Sequence, residues 1–570
     1  MKSVSGKYWE ESKINQRIYE KIKSENNFTD IINKLILLRN FNKEEIFTIN
    51  NKIELINPFF KIKDFENSYK TLKDTIEKKG KILIIGDYDV DGIVSTALFI
   101  KFLNILSYPY DFYIPDRLKD GYGASLNLVS KLIKKKPNLV IMLDCGSNSN
   151  ETVNLLNING INSIIIDHHE IYKPYPKTKN LINPKKKCDY ENLNYLCSAS
   201  ITFFFIDYFL NKKKLKNDFN QNLIYVLLAT VCDVMPLRYI NRIIAKNVLE
   251  NFDINKNYFF KKLFEISKIN RPLNIEDLGF LIGPIINSSG RIGNPNKAVN
   301  LLIASENDII DKLISELNEL NKKRKNIEEN IIKNLDFSKI NNKNTNVIIL
   351  ILNSVNEGLI GILASKIKEY FNKPSIVFTQ SGNYLKGSAR STENFNIGQL
   401  IKLGIDKGVI KNGGGHNLAA GLLIEKNKFI EFEDFINLSH KKMIKDNNIR
   451  RYLSKITLSA INQNFYNKLC LIEPFGPNNQ NPVFLIENVA IIKSTIIKNK
   501  YVSCVLKSKI NKSINAISFN IINSEISKYL LNYKKEIKIL AQIKQNTWNN
   551  KKSLQLNILD VLIWRLLKLD

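Results

Sequence analysis

Three short runs of uninterrupted apolar residues, each closed by an aspartate, constrain this chain more than any other feature. Lys81-Ile-Leu-Ile-Ile-Gly86 runs into Asp87-Tyr-Asp89-Val-Asp91-Gly92. Leu139-Val-Ile-Met-Leu143 runs into Asp144-Cys-Gly146, and Ser163-Ile-Ile-Ile166 runs into Asp167-His168-His169. A strand covered on one face alternates apolar and polar side chains, whereas one covered on both faces is apolar throughout. The helical stretch Ile93 to Leu106 follows the first run. Strands of this kind alternating with helices predict a doubly wound α/β domain on a parallel sheet, from about residue 75 to 240.

The rest of the chain has a different texture. Residues 1 to about 75 are mixed polar and helical and carry no obvious site. Residues 304–335 read as a charged connector helix with an apolar stripe of Leu313, Leu317, Leu320, Ile327 and Ile331, too short to favour a partner-binding coiled coil. A second α/β signature begins at Asn346-Val-Ile-Ile-Leu-Ile-Leu352, continues through the helical Leu359 to Tyr370, and reaches a glycine-rich turn at Gly413-Gly-Gly415. After the turn-like Glu473-Pro-Phe-Gly-Pro-Asn-Asn-Gln-Asn-Pro482 come short β-like alternations, Tyr501 to Leu506 and Ile514 to Phe519, which fit a small β-barrel.

Composition bounds the class. The 570 residues suggest three or four domains at roughly 150 each. With 44% hydrophobic and 24% charged residues, real cores are expected and wholesale disorder is not. No stretch approaches the ~18 uncharged apolar residues of a membrane span, and Met1 to Glu10 has no apolar run of a secretory signal. The six cysteines (Cys145, Cys188, Cys197, Cys232, Cys470, Cys504) form no Cys-x-x-Cys pair. That argues against a disulfide framework or a thiolate zinc site, and the expectation is a soluble cytoplasmic protein with no membrane partner. A net charge of +29 suits a polyanionic partner such as nucleic acid, although saturation with Lys, Asn and Ile reads as compositional bias as much as a binding surface.

The acids carry the chemistry. A single Asp after a strand is usually a cap or a turn residue, and a His-His pair is usually incidental. Here three strands end in acids, Asp233 follows the apolar helix-like run Leu223 to Val231, and two of only four histidines (His168, His169, His416, His440) stand directly after a strand-terminal Asp. In an open parallel sheet ligands sit beyond the carboxyl ends of the strands, so these acids should converge on one crevice. Crowded aspartates cannot all stay ionised unless cations neutralise them, and with imidazoles adjacent the physical solution is a divalent-metal centre. Mixed carboxylate and imidazole ligands suit Mn2+ better than the oxygen shell Mg2+ prefers, and either could serve. Two ions roughly 3.5–4 Å apart would polarise a phosphate and generate a hydroxide nucleophile. Asp144, central in the order, is expected to bridge them. Asp89, His168 and Asp233 are expected on one ion and Asp87 on the other, with His169 as orienter or acid–base partner.

The ordered set DYDVDG (87–92), LDCG (143–146), DHH (167–169) and the Asp of ATVCDVMPL (229–237) resembles the four motifs of the DHH phosphoesterase superfamily. GLIGILASKI (358–367), GSARS (387–391) and GGGHNLAAG (413–421) resemble the DHH-associated domain. Tyr113-Ile-Pro-Asp-Arg117 with Gly121-Tyr-Gly123, and Asn287-Ser-Ser-Gly-Arg291, resemble segments of the RecJ family of single-stranded-DNA-specific exonucleases. EPFG (473–476) and Leu554-Gln-Leu556 resemble the start and finish of that family's OB-fold. Two departures stand out: Val355-Asn356 where the family usually carries Trp-His, which bears on the wall of the substrate channel, and Ile85 where some relatives carry histidine.

The resemblance implies an α/β chain with an N-terminal segment (1–74), a doubly wound DHH catalytic domain with a parallel sheet (75–240), a helical connector (241–340), a second α/β DHH-associated domain (341–455) and a C-terminal OB-fold β-barrel (456–570). It implies hydrolysis of single-stranded DNA 5′→3′ with two Mn2+ or Mg2+ ions, releasing 5′-mononucleotides in recombination and repair beside a helicase and a single-strand-binding protein. A DHH phosphoesterase acting on short oligoribonucleotides or adenosine bisphosphate is the alternative. Ser388 and Arg390, two positions apart on an extended segment, share a face, and a hydroxyl with a guanidinium fork suits a terminal phosphate. By resemblance Arg117 joins them to capture the 5′-phosphate, and Arg291 contacts the backbone phosphates. Gly414 and Gly415 bring bare N–H groups to a phosphate, with His416 toward the scissile group. In the barrel Lys498, Lys500, Tyr501, Lys507 and Lys509 supply a basic, aromatic surface near one hairpin, with a solvated lysine-rich face the nearly equal alternative.

Overall fold

The computed structural model describes residues 1–562 apart from 118, 122, 187–189, 191, 216–217, 343–344, 444–448, 521–523, 533–535 and 549–550, so Tyr122 and Cys188 lie outside the described residues. The chain divides into two compact units. One is built from residues 55–235 and 247–445, the other from 1–54, 236–246 and 446–570. Among the described residues no helix is long and apolar enough to cross a membrane.

In the larger unit the three apolar runs are strands of one five-stranded, all-parallel sheet. Its spatial order is Tyr110–Tyr113, Ile82–Gly86, Leu139–Leu143, Asn162–Ile166, Leu181–Ile182. Ile82–Gly86 and Leu139–Leu143 are buried at every position, because helices cover both faces. Leu128, Val129 and Leu132, with Val153 and Leu156, pack onto Leu83, Ile85, Val140 and Met142 from one side. The helix Val90–Ile105 lies on the other, packed on the helix Ser198–Lys212, with Phe102 against Phe209 and Phe99 stacked on Phe205. The chain leaves Ile82–Gly86 for one edge and then returns to Leu139–Leu143 on the opposite side. The strand order therefore reverses between the two strands that end at Asp87 and Asp144, and a crevice opens where connections diverge.

The connector helix spans Asn307–Asn334. Its buried line is not the expected stripe. Ile310, Ile314 and Leu317 are buried, but the line continues through Asn321, Arg324 and Glu328, while Leu313, Leu320, Ile327 and Ile331 flank it half-buried. These polar residues tolerate burial because they satisfy one another. Arg324 donates to Asn321 Oδ1 (2.8 and 3.2 Å) and pairs with Glu328, which also meets Lys366 Nζ at 3.0 Å.

A second sheet in the same unit runs Asn412–His416, Ala419–Glu425, Tyr384–Arg390, Ser375–Ser381, Ile348–Ile351, antiparallel except for its last pair. The expected glycine-rich turn at 413–415 is instead an edge strand. Its glycines serve close approach: a Cβ on Gly413 would lie 2.7 Å from the Gly421 carbonyl, and one on Gly415 2.3 Å from that of Ala419. Leu359, Leu363 and Ile367 of the helix Glu357–Phe371 pack beneath Ile348 and Val377.

The smaller unit is a closed barrel. Phe484–Ile497, Tyr501–Ser508, Ser513–Ser518, Lys551–Leu562 and Ile537–Trp548 pair in that order, and the last pairs back onto the first. Helix Glu525–Asn532 lies between the third and fourth strands of the sequence, as in an OB-fold. Ile32, Leu35 and Ile36 of the helix Asp30–Leu38 join the barrel core, and the Trp9 indole donates to the buried Asp560 carboxylate at 2.9 Å. The expected single basic hairpin is not formed. Lys498, Lys500 and Tyr501 stand at one end of the strand Tyr501–Ser508, and Lys507 and Lys509 at the other, about 20 Å away by strand rise. Lys509 is paired with Glu536 (3.4 Å).

Candidate metal centre

The acid turns are shaped by backbone economy. Asp89 caps the helix Val90–Ile105, its Oδ1 accepting from the N–H groups of Asp91 (3.0 Å) and Gly92 (3.2 Å). Position 92 must be glycine, since a Cβ there would lie 2.5 Å from the Asp87 carbonyl oxygen. Asp144 sits in the left-handed region at φ +61°, a conformation aspartate tolerates better than most side chains, and its Oδ1 accepts from Ser198 Oγ at 2.9 Å. Asp167 fixes the histidine pair. Its Oδ1 accepts from the backbone N–H groups of His168 (2.8 Å) and His169 (3.1 Å) and lies 2.8 Å from His169 Nδ1, while Oδ2 accepts from Ser147 N–H at 3.0 Å.

These turns bring the side chains together. His168 Nε2 lies 3.4 Å from Asp233 Oδ2, 3.5 Å from Asp144 Oδ1 and 3.7 Å from Asp91 Oδ2. His169 Nδ1 is 3.8 Å from Asp144 Oδ1. Ligand atoms gather within 4.8 Å in three overlapping sets: Asp87, Asp89, Asp144; Asp144, His168, His169; and Asp91, His168, Asp233. Asp144 is common to two of them. Asp89, expected beside His168 and Asp233, groups with Asp87 instead, and Asp91 stands in its place. Both Asp91 oxygens are already engaged, accepting from Ser198 N–H (2.7 Å) and Ala199 N–H (2.8 Å) at the start of the helix Ser198–Lys212.

The electrostatics fit a divalent pair. Burial, then neighbouring carboxylates, pushes Asp87, Asp144 and Asp233 well above the usual carboxylate range. Burial and the adjacent His169 push His168 down to about 3, so it stays neutral with a lone pair to offer. Burial also works against charge on His169, but the hydrogen bond and charge of Asp167 outweigh it and hold that imidazole at about 9. Asp87 Oδ1 is buried without a hydrogen-bond partner among the described residues. Carboxylates that repel one another, one buried acceptor left over and a neutral imidazole are the donors a pair of Mn2+ or Mg2+ ions would take.

An arginine cluster faces the acids. Arg117 lies over the Tyr88 ring at 5.0 Å, next to Asp87. Arg291 Nη1 donates to the Gly358 carbonyl at 3.0 Å, and Arg390 Nη1 to Ser388 Oγ at 3.1 Å. Burial and then the Arg117 charge lower both Arg291, to about 10, and Arg390. Arg117 is close enough to oppose the charge of both other guanidiniums, and such a concentration of cations makes a site for an anion. Glycines let it form. A Cβ on Gly290 would lie 2.2 Å from the Tyr88 carbonyl oxygen, and one on Gly361 would crowd Arg390 and Ser388 at 3.0 and 3.2 Å.

Gly414 lies on the edge strand with open space where a side chain would be. His416 at the end of that strand is exposed, and its charge is felt at His168. Besides the roles of Asp91 and Ser198, the places of Lys185 and Phe280 escaped the reading of the sequence. Lys185, just past the short strand Leu181–Ile182, pairs with Glu170 at 3.0 Å and acts electrostatically on His168, Asp233 and His416. Its signal was a further strand end on the same sheet edge. Phe280 is 82% exposed in the wide helical turn Asp277–Ile282, whose Leu278 carbonyl accepts from Cys232 Sγ at 3.6 Å, beside Asp233. Only the packing of that turn gives it away.

Known proteins resemble this chain in sequence and fold. Three family models match, described as the DHH family N-terminal domain (residues 81–231), the DHHA1 domain (344–442) and the RecJ OB domain (454–560). The chain is 31% identical over 398 residues to the single-stranded-DNA-specific exonuclease RecJ of Haemophilus influenzae, across 65% of this chain and 68% of that relative. The chain belongs to the RecJ family. RecJ of Bacillus subtilis is 26% identical over 587 residues, spanning 98% of this chain and 72% of that one. The RecJ fold extends over the same length. The crystal structure of Thermus thermophilus RecJ in complex with Mn2+ superimposes with a TM-score of 0.82 at 20% identity, covering 98% of this chain and 80% of that one. The Thermus protein has also been crystallised with Mg2+.

Proposed function

We propose that this chain is a metal-dependent exonuclease that hydrolyses phosphodiester bonds of single-stranded DNA from the 5′ end, releasing 5′-mononucleotides. The observation that carries the proposal is the convergence of Asp87, Asp89, Asp144, His168 and Asp233 at the switch point of the sheet, opposite the cluster of Arg117, Arg291 and Arg390. Membership of the RecJ family and a barrel of OB topology support DNA as the substrate over a short oligoribonucleotide or adenosine bisphosphate.

Two divalent ions, when bound, would polarise the scissile phosphate and make water a nucleophile near neutral pH. The five ligands would hold them, with Asp144 shared. Asp91 anchors the helix that carries Ser198, so the Ser198 hydroxyl is fixed where it orients Asp144. His169 keeps a proton on Nδ1 toward Asp167, leaving Nε2 to meet an oxygen of the phosphate. Ser388, Arg390 and Arg117 would hold a terminal 5′-phosphate, and Arg291 with the N–H groups of Gly414 and Gly415 the backbone beyond it. His416 would face the scissile group from the second sheet. Phe280, exposed on the turn that meets Cys232, would stack an unpaired base, an interaction worth about 1–3 kcal/mol and denied to a paired one. An enzyme restricted to single strands needs duplex opened for it, so a helicase and a single-strand-binding protein in the cytoplasm are the partners this reading proposes.

End-labelled single and double strands incubated with Mn2+ test the proposal. Labelled mononucleotide should appear first from the 5′ end of the single strand, whereas first release from the 3′ end, or equal attack on duplex, would overturn it. Asp144→Ala should drop hydrolysis below detection while strand binding stays within a few-fold of the parent by fluorescence anisotropy.

A further inference from the structure

The larger unit carries a solvent-open pocket of about 420 Å3, whose wall joins the apolar Ile105 and Phe219 to Lys101, Asn104, Gln221, Asn222, Tyr225 and Asn257. It is separate from the acid crevice. Lys101 lies on the helix Val90–Ile105, whose N-terminus Asp89 caps, and a rise of 1.5 Å per residue puts the two about 18 Å apart along the axis. The cavity thus opens at the other end of the helix that begins among the acids.

Its charge is unbalanced. The Lys101 ammonium sits 4.9 Å from the centroid of the Tyr225 ring. Burial alone pulls its pKa down, to about 8, and among the described residues no carboxylate acts on it. A partly buried cation with no acid beside it among the described residues is costly, and a cation–π contact recovers only part of that cost. The surrounding polar groups are carboxamides. Asn257 Nδ2 donates to the Tyr225 hydroxyl (3.2 Å) and Asn222 Nδ2 to the Phe219 carbonyl (3.2 Å), which holds those two side chains in place, while Asn104 and Gln221 line the same space. Among the described residues the lining sets carboxamides around one ammonium with no acid, and a pocket of this size admits a small ligand.

We propose that this cavity binds a phosphate group, as inorganic phosphate or as the phosphate of a nucleoside monophosphate. A tetrahedral oxyanion supplies the missing charge and enough acceptor oxygens for the ammonium and the carboxamides at once.

The test is calorimetric titration and thermal unfolding of the full-length chain, without metal, against sodium phosphate and, separately, dAMP. Both are run in an Arg390→Ala background, so that anion binding at the arginine cluster contributes less. Phosphate should bind and raise Tm, as a ligand selective for the folded state must. Lys101→Met should weaken binding at least tenfold and abolish the shift in Tm, and Lys101→Arg should restore it. Gln221→Glu, which sets a carboxylate opposite Lys101, should compete with the anion and weaken binding as much while leaving the lysine in place. Tighter binding of dAMP than of phosphate would identify a nucleotide as the occupant, and equal affinity the phosphate moiety alone. Isotherms of Lys101→Met and Gln221→Glu that superimpose on the parent's would overturn the proposal.

Discussion

Arg390 shows how much a single side chain can depend on its setting. On an extended strand it would pass for a solvated residue, but here it is held against Ser388 Oγ and carries the opposing charge of Arg117. A charge-assisted bond is worth about 1.5–3 kcal/mol, so Arg390→Ala should cut the preference for 5′-phosphorylated over 5′-hydroxyl ends by about ten- to a hundredfold, read as a ratio of initial rates on the two substrates. His440 is a second case. It is buried against the Phe395 ring at 4.7 Å with Nδ1 lacking a hydrogen-bond partner among the described residues, and burial lowers its pKa below the ordinary histidine value. The unfolded chain then binds this proton more readily than the folded one, so the contribution is fully present above the unfolded pKa of about 6.5 and is lost as pH falls from there through the lowered value. Denaturant unfolding between pH 7.5 and 5.5 should show a smaller loss of stability for His440→Phe than for the parent.

At the scale of elements, the acid-terminated strands were legible because their signal is local. A continuous apolar run and the carboxylate after it are adjacent in sequence, and a parallel sheet places all such ends on one edge. The glycines were less legible. A run such as 413–415 is compatible with a loop or a close-packed strand, and only the neighbouring Gly421 and Ala419 carbonyls decide for the strand. The buried Arg324 and Glu328 broke the apolar stripe for a similar reason, since their partners Asn321 and Lys366 make burial tolerable and Lys366 comes from another helix. Gly290 joins two such elements. Its replacement by Ala puts a methyl 2.2 Å from the Tyr88 carbonyl, so its own helix, Gly283–Ile292, must shift away from the first acid turn. Overpacking of this kind costs about 1–3 kcal/mol, and Gly290→Ala should lower Tm and reduce single-strand hydrolysis together.

At the scale of the whole molecule, the first segment, which carries no motif, groups with the last. Ile32, Leu35 and Ile36 belong to the barrel core with Phe484, Val502 and Leu556. Removing residues 447–570 alone should strand that apolar helix face and give aggregates by size-exclusion chromatography, whereas removing residues 1–54 as well should reduce the aggregation. The sequence by itself determined the chemistry: which strands are buried, that acids and two histidines follow them, and that a glycine-flanked Ser-Ala-Arg stands on an extended segment. Only the tertiary structure decided the grouping. It set Asp89 with Asp87 and Asp144, brought Asp91 to His168 and Asp233, gathered three arginines from distant segments, and closed a barrel over a helix more than 400 residues away. Periodicity records what a residue's own element buries, whereas convergence depends on strand order and on contacts between distant segments, which no local pattern carries.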